Sequence, residues 1–203
     1  MHCSGNGSLQ ENHSMNYSED IKNCIWSLRN GGTILYPTDT IWGIGCDAAD
    51  EQAVTKIYTL KKRTEEKSMI ILLADENEIK NYAAVPSEEI KSVLHFSGRP
   101  VTVIYPGAKN LAKNIISADG SIAIRIVQDE FCCSLINAFG GPVVSTSANI
   151  SGEAFTGTYH TISAEIKQRV DYIAHHRRED KNPSAPSRIL KWTEDKGLIV
   201  IRE

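Results

Sequence analysis

The sequence predicts a single α/β domain, in which a twisted sheet of mixed parallel and antiparallel strands is flanked by helices. Segments with the three- and four-residue apolar spacing of helices alternate with short apolar runs typical of strands, which is the pattern of an α/β domain. Some predicted strands follow one another without a helix between them, so part of the sheet must be antiparallel. The length of 203 residues suits one compact unit with its own core.

The chain is predicted to begin with a disordered tail at residues 1–18, followed by one folded domain at residues 19–203. The tail is rich in Ser, Asn and Gly and has no apolar periodicity, so it cannot bury enough surface to offset the cost of ordering. Removal of the tail is therefore expected to change the free energy of unfolding by less than about 0.5 kcal/mol.

Helices are predicted where apolar residues recur on one face behind a capping residue. In the first helix, over 19–29, the residues Ile21, Cys24, Ile25 and Leu28 have this spacing. Asp50 can cap a second helix that runs to about Lys62, because its side chain can accept hydrogen bonds from the first turn. The other predicted helices begin at Asp75 and Ser87, span Phe131–Phe139 and surround Ile166.

Strands are predicted where apolar and β-branched residues stand between turn signals. Met69–Leu73 is continuously apolar, as is typical of a strand covered on both faces. The other predicted strands are Thr33–Tyr36, Val101–Tyr105, Ile122–Ile126, Val143–Ser145, Tyr172–His175, Ser187–Leu190 and Leu198–Ile201.

The composition argues against several classes of protein. The formal net charge is −3, so the whole chain lacks the basic excess of a nucleic-acid-binding domain. The five cysteines include no Cys-x-x-Cys pair, which indicates neither a disulfide framework nor a zinc site. The longest apolar run is far shorter than the roughly 18 residues of a membrane span, and no secretory signal opens the chain. A cytoplasmic protein is expected.

Two polar runs directly follow predicted strands. Thr38, Asp39 and Thr40 lie in the run YPTDTIWG at 36–43, and the run STSANISG occupies 145–152. In α/β sheets ligands collect at the carboxyl ends of strands, where small hydroxyl and amide groups can bind a polar ligand. Each run alone is also compatible with an ordinary polar turn.

Basic residues form two further candidates. The run KKRTEEK at 61–67 ends a helix, and it is either a solvated terminus or an anion clamp. If Lys61 and Arg63 form a solvated clamp, replacing either one would lower turnover and leave folding nearly unchanged. Arg125 lies within the apolar run SIAIRIV, where a charge needs the strand end or a partner, and this favours contact with a ligand.

Together these segments closely resemble the YrdC-like threonylcarbamoyl-AMP synthase family over residues 31–202. The resemblance rests on YPTDTIWG, Lys61-x-Arg63, Pro100-x-Thr102, the Arg125 strand, STSANISG with its pair Ser147-x-Asn149, Pro186–Ser187 and the closing IVIR. The chain departs from the family at Lys67–Ser68, where Lys-Pro or Asn-Pro is usual, at FSGRPVT (96–102), and at Arg188, where Thr is common.

The resemblance implies a nucleotidyltransferase, L-threonylcarbamoyladenylate synthase, with a concave and positively charged cleft. Such an enzyme makes threonylcarbamoyl-AMP and pyrophosphate from L-threonine, bicarbonate or CO2, and ATP. Mg²⁺ would accompany the ATP, and no metal site is expected in the protein itself. The product would pass to a tRNA threonylcarbamoyl transferase for the N6-threonylcarbamoyladenosine modification of tRNA, and weak binding of tRNA by this chain stays open.

The resemblance also assigns roles to individual residues. The catalytic set would be Lys61, Arg63, Ser147 and Asn149. The residues that bind L-threonine would be Thr40, Arg125, Ser147 and Ser187. The residues that bind ATP would be Arg63, Lys67, Ser121, Asn149 and Arg202, with Lys61 beside the phosphates.

Other functions remain open at this point. A related carbamoyl-adenylate-forming domain occurs within hydrogenase-maturation proteins, usually beside zinc-finger and acylphosphatase segments. A binding module for double-stranded RNA or tRNA could use the same fold without catalysis, although the negative net charge argues against it. A nucleotide-binding regulator is the third alternative. Pyrophosphate release that depends on both threonine and bicarbonate would separate the enzyme from the last two.

Overall fold

A computed structural model describes residues 17–62, 69–84, 94, 98–153, 157–182 and 185–203. The helices of these residues are α1 (Ser18–Arg29), α2 (Glu51–Lys61), α3 (Ile79–Tyr82), α4 (Glu130–Phe139) and α5 (Ala164–Arg169). The strands are β1 (Ile34–Tyr36), β2 (Gly43–Gly45), β3 (Ile70–Leu73), β4 (Val101–Tyr105), β5 (Ile122–Ile126), β6 (Val143–Ser147), β7 (Tyr172–Ile173), β8 (Arg188–Thr193) and β9 (Gly197–Arg202).

The described strands form one sheet in the order β7-β1-β2-β6-β3-β5-β4-β8-β9. Three neighbouring pairs are parallel, namely β1–β7, β3–β5 and β4–β8, and the other pairs are antiparallel. The mixed α/β sheet predicted from the sequence is therefore confirmed.

Two apolar cores lie on opposite faces of this sheet. Ile71 and Val144 point into one core, which contains the buried face of α2, whereas Leu72 and Val143 point into the other, with α1 and α4. This division follows from the alternation of side chains along a strand. The run IILL and the pair Val143–Val144 are apolar at consecutive positions because each strand is covered on both faces.

The candidate site lies on the same face of the sheet as α1 and α4, farther along the sheet on β5, β4 and β8. Arg125 is in register with Leu72 in the parallel pair β3–β5, so their side chains point to the same face. Thr102 continues this face on β4 and Ile189 on β8. Ile104 and Ile189 are only partly buried, so this part of the face is open to a ligand.

The predicted helix caps are present with one change of helix type. Asp50 accepts hydrogen bonds from the N–H groups of Gln52 (2.8 Å) and Ala53 (3.1 Å) at the start of α2. Asp75 accepts a hydrogen bond from the Asn77 N–H at 2.8 Å, but it opens a 3-10 turn before the short helix α3. The helix expected from Ser87 lies outside the described residues.

Strand β2 was not predicted, because its sequence Gly-Ile-Gly has little strand character. The structure gives a steric reason for the glycine at position 45. A Cβ atom there would lie 2.6 Å from the Val144 carbonyl oxygen and 2.8 Å from the Tyr36 ring. Glycine weakens strands in general, but it is required at position 45 because the neighbouring strands approach closely there.

Tyr17 and Ser18 belong to the folded part of the chain, although the sequence assigned both to the tail. Helix α1 begins at Ser18, and the Tyr17 side chain is buried with its ring edge-on to Phe131, the centroids 5.7 Å apart. The remaining tail residues, 1–16, lie outside the described residues. Removal of residues 1–18 would therefore also remove a core aromatic ring.

Replacement of Tyr17 by alanine is expected to lower the free energy of unfolding by about 2–4 kcal/mol, because it empties a buried aromatic position. Trp26→Ala on the same helix is the matched control. The Trp26 side chain is 70% exposed, so its loss should change stability by less than about 0.5 kcal/mol. Urea unfolding of both variants measures the difference, and equal midpoints would contradict the assignment of Tyr17 to the core.

Candidate active site

A cavity of about 200 Å³ opens on the partly exposed face of the sheet. This volume is below the roughly 300–1,000 Å³ typical of sites for drug-sized ligands, so the cavity suits a ligand as small as one amino acid. All four residues that the sequence assigned to L-threonine line it, together with one residue of the ATP set. These residues are Thr40, Arg125, Ser147, Ser187 and Arg202.

Arg125 is the centre of the polar wall of this cavity. Its side chain is buried, one terminal nitrogen donates a hydrogen bond to Thr40 Oγ1 at 2.9 Å, and the other contacts Thr38 Oγ1 at 3.3 Å. The second terminal nitrogen also lies 3.1 Å from a carboxylate oxygen of Asp39. Arg125 Nε is buried without a hydrogen-bond partner among the described residues. A buried guanidinium with a donor to spare is suited to an anionic ligand.

Asp39 supplies the counter-charge to Arg125 from behind the cavity. Its side chain is buried and does not line the cavity. Burial raises the pKa of Asp39, and the positive charge of Arg125 opposes that rise. The run YPTDT therefore brings two hydroxyl groups and one carboxylate to the same guanidinium.

Lys61 is buried, which corrects the expectation that it is a solvated cation at the end of a helix. Its ammonium group donates hydrogen bonds to the backbone carbonyls of Ser147 and Asn149, the latter at 2.6 Å. Its own carbonyl accepts a hydrogen bond from the Ser151 N–H at 3.0 Å. Lys61 does not line the cavity; it holds the loop that follows β6.

Ser147 and Asn149 are placed by this loop. Ser147 is the last residue of β6 and lines the cavity, whereas Asn149 lies beyond it and is not among the lining residues. The Asn149 side-chain amide donates a hydrogen bond to the Glu153 carbonyl at 2.7 Å. Within the Ser-x-Asn pair, Ser147 therefore lines the cavity, whereas Asn149 closes the turn.

The opposite wall of the cavity comes from β8 and β9. Ser187 Oγ lies 2.7 Å from Thr102 Oγ1, and the Ser187 carbonyl accepts a hydrogen bond from Arg202 at 2.7 Å. Burial, together with the nearby charge of Arg125, lowers the pKa of Arg202. Two guanidinium groups therefore converge on one cavity. No role was assigned to Thr102 from the sequence, although its place in the Pro-x-Thr motif of the family could have indicated that it lies at the site.

Ser121 lies one strand length away from Arg125. Ser121 directly precedes β5 and stands four positions before Arg125, which corresponds to about 13 Å along an extended chain. Ser121 Oγ is 2.5 Å from Asp119, whose other carboxylate oxygen accepts a hydrogen bond from Lys191 at 2.8 Å. The hydrogen bond from Lys191, followed by the one from Ser121, lowers the pKa of Asp119 to about 2.

The remaining residues assigned from the sequence, Arg63 and Lys67, lie outside the described residues. Within the described part of the chain, no group of three or more His, Cys, Asp or Glu side chains could hold a metal ion. No described helix is both long enough and apolar enough to cross a membrane.

The sheet and its cavity define an α/β protein with an open sheet face, where a cavity between two guanidinium groups and a set of hydroxyl groups is suited to a small anionic ligand. The family model named Sua5_yciO_yrdC, described as "Telomere recombination", matches residues 27–203. The chain belongs to this family, as the resemblance of its motifs implied.

Proteins named threonylcarbamoyl-AMP synthase are similar to this chain. One from Xanthomonas campestris pv. campestris (strain B100) is 30% identical over 162 residues, which cover 78% of this chain and 87% of the relative. Another from Stenotrophomonas maltophilia (strain K279a) is 36% identical over 136 residues, 66% of this chain and 73% of the relative.

The fold is also similar to that of a solved structure, P. abyssi Sua5 complexed with L-threonine. The TM-score is 0.78 at 24% identity, and the match covers 91% of this chain. This chain spans about half the length of that protein, since the match covers 54% of it. At this identity the likeness shows the shared fold.

Proposed function

We propose that this protein is an L-threonylcarbamoyladenylate synthase, a nucleotidyltransferase that makes threonylcarbamoyl-AMP and pyrophosphate. The observation that carries the proposal is the buried guanidinium of Arg125, which faces a cavity of amino-acid size beside the hydroxyl groups of Thr40, Ser147 and Ser187. Relatives named threonylcarbamoyl-AMP synthase, and the binding of L-threonine by P. abyssi Sua5, support this choice of substrate.

The amino-acid side of the reaction is assigned to the cavity. Arg125 pairs with the carboxylate of L-threonine, because a guanidinium presents two parallel donors to a carboxylate. Ser147 and Ser187 supply hydroxyl groups from opposite walls to the remaining polar atoms of the ligand. These contacts hold the amine of threonine, which combines with CO2 from bicarbonate to give a carbamate.

The nucleotide side is assigned to the outer part of the same face. The carbamate oxygen attacks the α-phosphorus of ATP, a phosphorus–oxygen bond forms, and pyrophosphate leaves with the electron pair of the broken bond. Such a step needs positioning and charge neutralisation more than a nucleophilic side chain. Arg202, Asn149 and Ser121, with Arg63 and Lys67 from the sequence motif, are the residues proposed for ATP, which brings Mg²⁺ with it as part of the substrate.

The product is proposed to serve the N6-threonylcarbamoyladenosine modification of tRNA through a separate tRNA threonylcarbamoyl transferase. Threonylcarbamoyl-AMP is a mixed anhydride, so its acyl group is activated for attack by an exocyclic amine of a nucleoside. The chain would then need only weak contact with tRNA, in keeping with its net charge of −3.

The test is release of pyrophosphate from ATP by the purified chain. We expect release only when L-threonine and bicarbonate are both present, with omission of either one as the internal control. Release that is independent of threonine would contradict the proposed substrate. Absence of release together with tight binding of double-stranded RNA would favour the alternative of a non-catalytic RNA-binding module.

A further inference from the structure

The hydroxyl groups of the run YPTDT form a hydrogen-bonded chain between Arg125 and a backbone carbonyl. Arg125 donates to Thr40 Oγ1 at 2.9 Å. Thr40 Oγ1 lies 3.0 Å from Thr38 Oγ1, and Thr38 Oγ1 donates to the Ile41 carbonyl at 2.7 Å. Both threonines are buried, and only Thr40 lines the cavity.

The direction of every bond in this chain follows from its two ends. A guanidinium can only donate, and a carbonyl oxygen can only accept. Thr38 has one hydroxyl proton, which goes to the Ile41 carbonyl, so Thr38 has none left for Thr40. The bond between the two threonines must therefore run from Thr40 to Thr38.

Thr38 Oγ1 has two acceptor positions. The Thr40 backbone N–H donates to one of them at 3.1 Å. The other accepts the Thr40 hydroxyl, because the Arg125 nitrogen that approaches Thr38 Oγ1 at 3.3 Å lies closer to the Asp39 carboxylate, at 3.1 Å. The proton of Thr40 is engaged by Thr38, and one lone pair of Thr40 is engaged by Arg125. What Thr40 has left for the cavity is a single acceptor position.

We infer that Thr38 is a positioning residue. By accepting a hydrogen bond from the Thr40 hydroxyl, it leaves Thr40 as a hydrogen-bond acceptor for a donor on the amino-acid substrate, namely the side-chain hydroxyl. This inference rests on the proposed function. The α-amine of L-threonine is the other donor, but it is the group that combines with CO2, whereas the side-chain hydroxyl takes no part in the proposed reaction. As a hydrogen-bond acceptor, Thr40 selects against substrates whose side chains have the same shape but lack an O–H group.

The experiment compares L-threonine with the analogue in which fluorine replaces the hydroxyl group. Fluorine has nearly the size of a hydroxyl and no proton to donate. For the wild-type chain we expect kcat/KM, from pyrophosphate release, to favour L-threonine by about 100-fold or more. In Thr38→Val the Thr40 hydroxyl loses its acceptor and can donate into the cavity, so the preference for L-threonine over the fluoro analogue should fall at least about tenfold. Thr38→Ser keeps the relay, so it should hold the preference within about threefold.

The ratio separates this role from a purely structural one. Damage to the fold would reduce kcat/KM for both compounds alike and leave the ratio unchanged, and that result would overturn the inference. If Thr38→Val fails to fold, Thr38→Ala and Thr40→Val provide the same comparison, and both should show the reduced ratio.

Failure of the proposed function gives a different result. If the wild-type chain releases no pyrophosphate with L-threonine, calorimetric titration with the two amino acids replaces turnover as the readout. Binding of L-threonine at least about tenfold tighter than the fluoro analogue, with a reduced ratio in Thr38→Val, would support the relay without the reaction. Equal binding of the two compounds, or binding of neither, would overturn it.

Discussion

Replacement of Lys61 by methionine is expected to lower the free energy of unfolding by about 3 kcal/mol. Hydrogen bonds made by a charged group contribute about 1.5–3 kcal/mol each, and methionine would leave the carbonyls of Ser147 and Asn149 without this donor. For a domain of this size, the melting temperature should fall by roughly 6–12 °C. The expectation from the sequence that folding would be nearly unaffected rested on a solvated ammonium group, whereas the structure shows that the group is buried.

The same substitution should lower threonine-dependent turnover by about 10²-fold. Lys61 holds the loop that follows β6, and Ser147, the last residue of β6, lines the cavity. A displacement of about 1 Å in a positioning group is enough for a loss of this size. The two readouts are thermal melting and pyrophosphate release on the same preparation.

Lys62→Met is the matched control for Lys61→Met. Lys62 follows directly in sequence, but its side chain is 60% exposed and its ion pair with Glu165, at 3.0 Å, lies at the surface. An exposed ion pair contributes little, so this variant should stay within about 1 kcal/mol of the wild-type chain and retain its turnover. Equal melting temperatures for the two variants would contradict the buried role of Lys61.

Lys61 also illustrates where prediction from the sequence ends. The helical pattern and the cap at Asp50 placed Lys61 at the end of a helix, and the structure agrees. The partner of its ammonium group is a carbonyl 86 residues farther along the chain. Local patterns do not carry information about such contacts, so the sequence offered a solvated terminus or an anion clamp for this lysine and gave no sign of its burial.

The polar wall of the cavity could be predicted from the sequence to a greater extent than the contacts of Lys61. An arginine within an apolar strand cannot remain unpaired, and this placed Arg125 in the site before its partners were known. The partners Thr38, Asp39 and Thr40 stood together in one motif, which was expected to follow a strand. Their division into one cavity-lining residue, one relay residue and one counter-ion depends on the path of the turn between β1 and β2, which the sequence does not define.

Replacement of Arg125 by methionine is expected to weaken binding of L-threonine by about 10- to 150-fold, or ~1.5–3 kcal/mol, and to change the affinity for ATP by less than about threefold. The physical reason is the loss of the cation that faces the amino-acid carboxylate in the proposed complex. Calorimetric titration with each ligand separately measures both effects. Arg177→Met is the matched control: Arg177 contacts the same turn through the Thr38 carbonyl, at 3.0 Å, but it does not line the cavity.

Loss of Arg125 also leaves the buried carboxylate of Asp39 without its counter-charge, which affects stability as well as binding in the single variant. The pKa of Asp39 is already above its value in the unfolded chain, and without Arg125 burial should raise it further. A group with a raised pKa in the folded state loses stabilising effect as the pH rises. The stability deficit of Arg125→Met should therefore shrink as the pH is lowered from about 8 to about 5.

Combining Arg125→Met with Asp39→Asn separates folding from binding. Asparagine removes the buried charge, so the double variant should regain part of the lost stability and show a weaker pH dependence than Arg125→Met alone. Binding of L-threonine should not recover, because the guanidinium is still absent from the cavity. If the double variant recovered both stability and threonine affinity, Arg125 would be a structural counter-ion of Asp39 and not a ligand for the substrate carboxylate. Equal losses of threonine and ATP affinity in Arg125→Met would lead to the same conclusion.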